Sequence, residues 1–351
     1  MNNKNKKQYI FNILLILTIT FLSAYFSIGK NYKEVIEAFK NANIVWVIVM
    51  FVIMISYYFF DSLSLLSFGR VYKKDFSLRQ AFTNSMTGTF FSAITPSSSG
   101  GQFAQVYVFN KQGISATNSS SILLMCFICY QSVLVIYTSL VVLFNIPYLT
   151  DNPGIFSLVM IGFLVNFIVI ICLFGGAKSK RLQNFLIHTV VKFLSKIKIL
   201  KDYEETSGKI EQYLSDFREQ LNFLQHNKSV LLKSCLCNVV KLTIVYSMPF
   251  FATKALNLDV QMSHYLPFIG YCSFIYLINA FLPIPGASGG SEACYMLFFG
   301  FLGTVGVSSS MTLWRFVSYY IGLILGALVF SFDKEINGPG VNNTLKIEDM
   351  E

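Results

Sequence analysis

The chain has 351 residues, 54% of them hydrophobic and only 13% charged, against roughly 25% charged in an ordinary soluble domain. A water-facing surface of normal size cannot be made from that supply, which excludes a soluble globular enzyme. The net charge of +9 sits mainly between apolar blocks, where membrane orientation and anionic lipid account for it and no nucleic-acid partner is needed.

The apolar blocks run to about twenty residues, the length a helix needs to cross a hydrocarbon core of ~30 Å. They predict spans at 10–28, 43–67, 118–144, 154–175, 229–251, 264–282 and 310–331. The first block follows Lys4, Lys6 and Lys7 like a signal peptide. Its apolar core is longer than a signal sequence uses and no small-residue cleavage site follows, so it reads as a retained helix. Two further apolar stretches, 81–108 and 286–303, are irregular. The first holds Thr83, Asn84, Ser85, Thr87, Gly88 and Thr89, then Thr95-Pro96-Ser97-Ser98-Ser99-Gly100-Gly101, a composition that a continuous lipid-facing helix would not use. The predicted architecture is an all-α polytopic membrane protein of about seven or eight transmembrane helices. Residues 1–332 form one transmembrane domain and 333–351 a polar tail expected to be disordered.

Counting basic residues orients the chain. The N-terminal tail has three lysines, the 69–80 loop has Arg70, Lys73, Lys74 and Arg79, and the 176–228 loop has ten basic residues, whereas Ile146–Asp151 has none. The N-terminus and the 176–228 loop are therefore expected in the cytoplasm of a multi-pass cell-membrane protein. An even number of crossings must separate the 69–80 and 176–228 loops, and two spans already lie between them. The 81–108 stretch should thus enter and leave on one side, as a re-entrant hairpin or a helix pair. Broken backbone at membrane depth is tolerated only inside protein or against a wet cavity, so a cavity is implied. Within 176–228, Phe185, Leu186, Val190, Phe193 and Leu194, then Ile210, Tyr213, Leu214, Phe217, Leu221 and Leu224, recur at helical spacing. They predict two amphipathic helices, lying on the inner leaflet or packed as a pair.

Soluble-site chemistry finds little support. The seven cysteines lie in apolar or motif segments and form no disulfide framework. Cys126 and Cys129 place two small residues on one helix face, which reads as packing. His188, His226 and His264 are scattered, no metal-ligand spacing occurs, and no nucleotide-binding motif is present. No cofactor is expected.

The most informative pattern is an echo. Pro96-Ser97-Ser98-Ser99-Gly100-Gly101 aligns with Pro285-Gly286-Ala287-Ser288-Gly289-Gly290, 189 positions later, and Ala104 meets Ala293. Matched Pro/Gly interruptions in a weak internal repeat point to a transporter-like binding site between two halves. Proline ends a helix and glycine lets bare backbone approach a ligand. Free N–H groups of a restarted helix then suit phosphate or carboxylate, with hydroxyls of Ser97, Ser98, Ser99 and Ser288 beside them. The plainer alternative is close helix packing through the glycines. Charged residues within spans are the second signal, each costing roughly 2.5–3.5 kcal/mol at a helix centre. Glu292, Arg315, Lys241 and Asp61 qualify, with snorkelling or a structural ion pair as the plain alternative; Gln102 and Tyr107 are weaker candidates.

At these residues the chain resembles the flippase-like membrane family of the lysylphosphatidylglycerol synthase transmembrane region, which includes the N-terminal domain of the multiple peptide resistance factor. The resemblance rests on Thr95-Pro96-Ser97-Ser98-Ser99-Gly100-Gly101-Gln102 with Lys111, Gly113, Ile114 and Ser115 after it, on Pro283 through Glu292, and on Arg315. It implies a domain that carries lipids with modified head groups, such as lysyl-phosphatidylglycerol, between leaflets, lowering surface charge and protecting against cationic peptides. The expected partners are anionic or aminoacylated phospholipids, and a separately encoded lipid-modifying enzyme is a further expectation. Full-length synthases of this kind carry a soluble C-terminal aminoacyltransferase domain, whereas this chain ends at Glu351. Many relatives have an acidic residue early in the span after the first motif, where this chain reads Ser119-Ser120-Ser121. The resemblance therefore implies a transporter before an enzyme, with the membrane component of a phosphatidylglycerol lysyltransferase, or of another lipid-linked transferase, as the alternative.

Overall fold

A computed structural model describes residues 32–95, 98–144, 153–175, 179, 181, 203–279, 282 and 285–337. The expected first span at 10–28, the first amphipathic segment of the 176–228 loop and most of the polar tail lie outside these residues. All regular structure among the described residues is helical. Among the described residues, four stretches are long and apolar enough to cross a membrane: Ile44–Tyr72, Ala116–Phe144, Lys228–Ala255 and the interrupted 48-residue run Pro285–Phe332. The protein is an all-α polytopic membrane protein.

A short helix, α1 (Tyr32–Lys40), precedes α2 (Ile44–Tyr72). Asn43 caps α2 by accepting the Val45 N–H at 3.0 Å, and the helix divides lengthwise. Ile44, Val45, Ile48, Val52, Ile55 and Phe59 are exposed, whereas Met50, Met54, Tyr58 and Leu65 are buried. An apolar side chain left outside has lipid as its solvent, so α2 keeps one face for the bilayer and one for the bundle.

The 81–108 stretch is a helix pair. Helix α3 (Leu78–Ile94) starts at a capping box in which Ser77 Oγ accepts the Gln80 N–H and Gln80 Oε1 accepts the Ser77 N–H, both at 3.1 Å. It breaks at Thr95–Ser98, and α4 (Ser99–Lys111) returns beside it. The pairing is antiparallel: Gln112 Nε2 donates to the Gln80 carbonyl at 2.9 Å and Asn84 Nδ2 to the Gln105 carbonyl at 3.0 Å. The chain thus leaves this hairpin at the level where it entered. The polar residues that looked wrong for a lipid-facing helix, Thr83, Asn84, Ser85 and Thr87, are all buried inside the bundle. Thr87 returns its hydroxyl to the Thr83 carbonyl at 2.8 Å.

Helices α5 (Ala116–Phe144) and α6 (Pro153–Ile170) follow, α6 running on into a π-helical turn at Ile171–Gly175. Helix α7 (Tyr203–His226) is the second amphipathic segment, and its apolar face packs against the bundle. Leu214, Phe217, Leu221 and Leu224 are buried, Phe217 meets the Phe174 ring at 5.3 Å, and Gln220 reaches Ser121 of α5 at 3.3 Å. Helix α8 (Lys228–Ala255) is the most buried of the long helices and packs along α2.

The second half repeats the hairpin theme. Helix α9 (Tyr265–Asn279) leads to a break through Pro285–Ala287, then α10 (Gly290–Phe299). Ten residues span only about 15 Å, half the hydrocarbon core, so α10 does not cross. The chain turns at Gly300–Leu302 into α11 (Gly303–Arg315), which continues through a π-helical turn, Phe316–Tyr320, into α12 (Ile321–Phe332). The two breaks match in backbone detail. Ser98 and its counterpart Ala287 are both left-handed, at φ 55° and 50°. Their following glycines, Gly101 and Gly290, face the incoming segment so closely that a Cβ would collide with Ser92 Oγ in one case and Leu282 in the other.

Candidate functional site: a polar cavity inside the membrane domain

A cavity of about 780 Å³ opens among α2, α3, α4, α5, α6, α8, α9 and the α11 end, within the ~300–1,000 Å³ range of sites that hold small ligands. Both breaks reach it, the first through Ser98 and the second through Gly286 and Ala287. Asp61, Lys241 and Arg315 also line it. Helical spacing brings companions to the same wall: Tyr57 one turn before Asp61, Asn238 one turn before Lys241, and Trp314, Ser318 and Tyr319 around Arg315.

The charges are paired. Lys241 Nζ contacts Asp61 Oδ1, and Ser85 Oγ donates to Asp61 Oδ2. Lys241 also donates to Asn238 Oδ1 at 3.4 Å and lies 5.5 Å from the Tyr57 ring centre and 5.6 Å from that of Tyr130. At the second break, Arg315 Nε donates to Glu292 Oε1 at 2.8 Å. Arg315 Nη2 donates to the Gly286 carbonyl at 3.2 Å, and Glu292 Oε2 accepts the Gly289 N–H at 2.6 Å. The guanidinium lies 5.2 and 5.3 Å from the Trp314 and Tyr319 rings. Tyr319 in turn donates to the Ala93 carbonyl at 3.0 Å, joining the second break to the first hairpin. A buried ion pair is strongly interdependent, because removing one partner strands the other charge away from water.

Of the residues singled out in the sequence, Asp61, Ser98, Gln102, Lys241, Gly286 and Arg315 lie on the cavity wall. Thr95, Gly100, Gly101, Pro285, Ser288, Gly289, Gly290 and Glu292 stand behind it and build the breaks. Pro96 and Ser97 lie outside the described residues, Ser99 is exposed at the start of α4, and Tyr107 is exposed away from the cavity. Two N–H groups expected to face a ligand have internal acceptors: Gly100 N–H donates to Thr95 Oγ1 at 2.9 Å and Gly289 N–H to Glu292. The Ser288 hydroxyl is buried without a hydrogen-bond partner among the described residues.

Several wall residues were not singled out. Tyr57 and Tyr130 flank Lys241, and Gln131 Nε2 donates to Asn166 Oδ1 at 3.0 Å across α5 and α6. Trp314 Nε1 and Asn279 Oδ1 are buried and lack partners among the described residues. The available signal is polar side chains set in otherwise apolar runs, as in the adjacent Tyr130-Gln131 of α5 and Asn238 one turn before Lys241 of α8.

The fold and the cavity define a class: a polytopic helical membrane protein with a polar cavity reached by two matched chain breaks. Within it, the chain belongs to the family of the lysylphosphatidylglycerol synthase transmembrane region, which matches residues 10–326. It is also similar to a UPF0104 membrane protein from Archaeoglobus fulgidus, with 24% identity over 299 residues covering 84% of this chain and 88% of the relative.

Proposed function

We propose that this chain is a flippase-like lipid transporter, moving phospholipids with modified head groups of the lysyl-phosphatidylglycerol kind between leaflets of the cell membrane. The observation that carries the reading is the convergence of two ion pairs and two broken hairpins on one cavity. Ion pairs are costly at membrane depth, and polar groups retained there mark substrate paths. In this reading the head group enters the cavity and exchanges with the charges on its wall while the acyl chains stay in lipid. The N-terminus and the 176–228 loop face the cytoplasm, and the physiological outcome is protection against cationic peptides through altered surface charge.

The test is reconstitution into vesicles with labelled lipids on one leaflet. Acceleration of leaflet exchange for an aminoacylated phospholipid is expected, and its absence for every aminoacylated, glycosylated and polyprenyl-phosphate lipid tried defeats the reading. The family's name favours one rival, the membrane component of a lysyltransferase. Lipid mass spectrometry of a deletion strain separates the two: synthesis requires that a lipid species disappear, whereas transport leaves its total unchanged and alters its exposure.

A further inference from the structure

Resting on that transport reading, the geometry points to the residues that receive a primary ammonium group of the lipid head, Asp61, Asn238, Tyr57 and Tyr130, with the Lys241 side chain as its internal stand-in. The groups around Lys241 Nζ are those an ammonium site needs. Asp61 supplies the carboxylate, Asn238 an amide oxygen at 3.4 Å, and Tyr57 and Tyr130 two ring faces at 5.5 and 5.6 Å. Carboxylate, amide oxygen and aromatic face are the neutralising and polarisable partners of an ammonium ion.

The two ion pairs are not equivalent. Arg315 and Glu292 have side chains 8% and 9% exposed, and their further bonds fasten Gly286 and Gly289 of the second break. That pair positions the backbone. Asp61 is 28% exposed and lines the cavity, while Lys241 is 7% exposed. Lysine is a point charge on a flexible four-carbon stem, so Lys241 is able to leave the rings without any movement of α8. A head-group ammonium then takes Asp61 and the two tyrosine faces, and the phosphate of the same lipid takes the released Lys241. One internal pair becomes two intermolecular pairs, and no buried charge is left alone. A phosphate head group without an amine satisfies Lys241 but strands Asp61. A quaternary ammonium satisfies the rings but has no N–H to donate to Asp61.

The experiment compares three labelled phospholipids in vesicles containing the full chain: one with a primary amine, its N-acetylated counterpart, and phosphatidylglycerol. The amine lipid is expected to exchange about tenfold faster or more than the other two. Equal rates for the amine and N-acetyl lipids overturn the ammonium site and leave the transport reading standing. If no lipid is accelerated, the transport reading fails and the site is judged by binding alone. For that, Lys241→Ala is heated in detergent with n-butylammonium or n-butanol. A rise in thermal midpoint with the amine only, absent once Asp61→Asn is added, supports the site, and an equal response to both compounds overturns it. Where Lys241→Ala does not fold, Lys241→Met, which keeps the volume of the stem, is measured in the same way.

Discussion

Ser98 and Ala287 hold the same left-handed backbone conformation, φ 55° and φ 50°, at corresponding positions of two breaks 189 residues apart in the chain. Neither is glycine, and the left-handed region costs an L-residue roughly 1–2 kcal/mol. Matched strain at matched positions is the strongest structural sign that the two motifs are one device used twice. Replacing either residue by glycine removes the steric penalty. Ser98→Gly and Ala287→Gly are therefore expected to hold or raise the thermal midpoint in detergent. Ser98→Val and Ala287→Val, branched at Cβ, are expected to lower it by an amount equivalent to about 1–3 kcal/mol. Glycine variants that melt well below the parent would show that these two positions are not strained.

The glycines that follow behave differently from each other. A Cβ at Gly101 would collide with Ser92 Oγ and would also lie 2.8 Å from the Gly88 carbonyl oxygen, which is backbone and cannot rotate away. The three atoms nearest a Cβ at Gly290 all belong to the side chain of Leu282. Gly101→Ala is expected to destabilise by about 1–3 kcal/mol, in the range of an overpacked core, and Gly290→Ala by distinctly less. Thermal melts of the two variants, with Gly101→Ala repeated in a Ser92→Gly background, decide it. Full recovery in that background would mean that the Gly88 backbone is not the obstacle.

Arg315 and Glu292 form one unit with the second break, so their substitutions should not add. Arg315→Leu and Glu292→Leu each strand a buried charge and are expected to cost about 3–5 kcal/mol. The double variant removes both charges and should cost clearly less than the sum. A double-mutant cycle on thermal unfolding measures the coupling. The residual loss reports the bonds from Arg315 to Gly286 and from Glu292 to Gly289.

The sequence shows the spans because apolar runs are local, and it shows the breaks because proline and glycine act on their own neighbourhood. It shows Arg315 and Glu292 as charges close enough in the chain to pair, as they do, but it shows Lys241 only as a charge, not what it meets. Asp61 is 180 positions from Lys241, and nothing in either helix alone records the pairing. The tyrosine faces were hidden for a different reason: with 19 tyrosines and 35 phenylalanines in the chain, an aromatic residue in a span carries almost no information until its neighbours are known. Helix α7 illustrates the same limit. Its amphipathic period is legible, but whether Phe217 and Leu221 meet lipid or protein depends on the presence of Phe174 and α5 nearby.

The last helix is tied to the first hairpin at one end of the bundle, and the tie divides unequally between its members. Asp333 Oδ2 accepts from Thr83 Oγ1 at 3.0 Å, and its Oδ1 accepts the Glu335 N–H at 2.8 Å and lies 3.5 Å from Arg79. The Arg79 side chain is 63% exposed, and an ion pair that open to solvent is worth ~0–1 kcal/mol and fades with salt. Arg79→Ala is therefore expected to shift the thermal midpoint slightly at low ionic strength and not at all in high salt. Asp333→Ala loses the cap on the following turn and the bond to the buried Thr83 together, for about 1–2 kcal/mol, a loss that salt does not erase. Melts of both variants at two salt concentrations separate the contributions. Equal effects from the two substitutions would place the tie in the Arg79 ion pair instead of in the Asp333 hydrogen bonds.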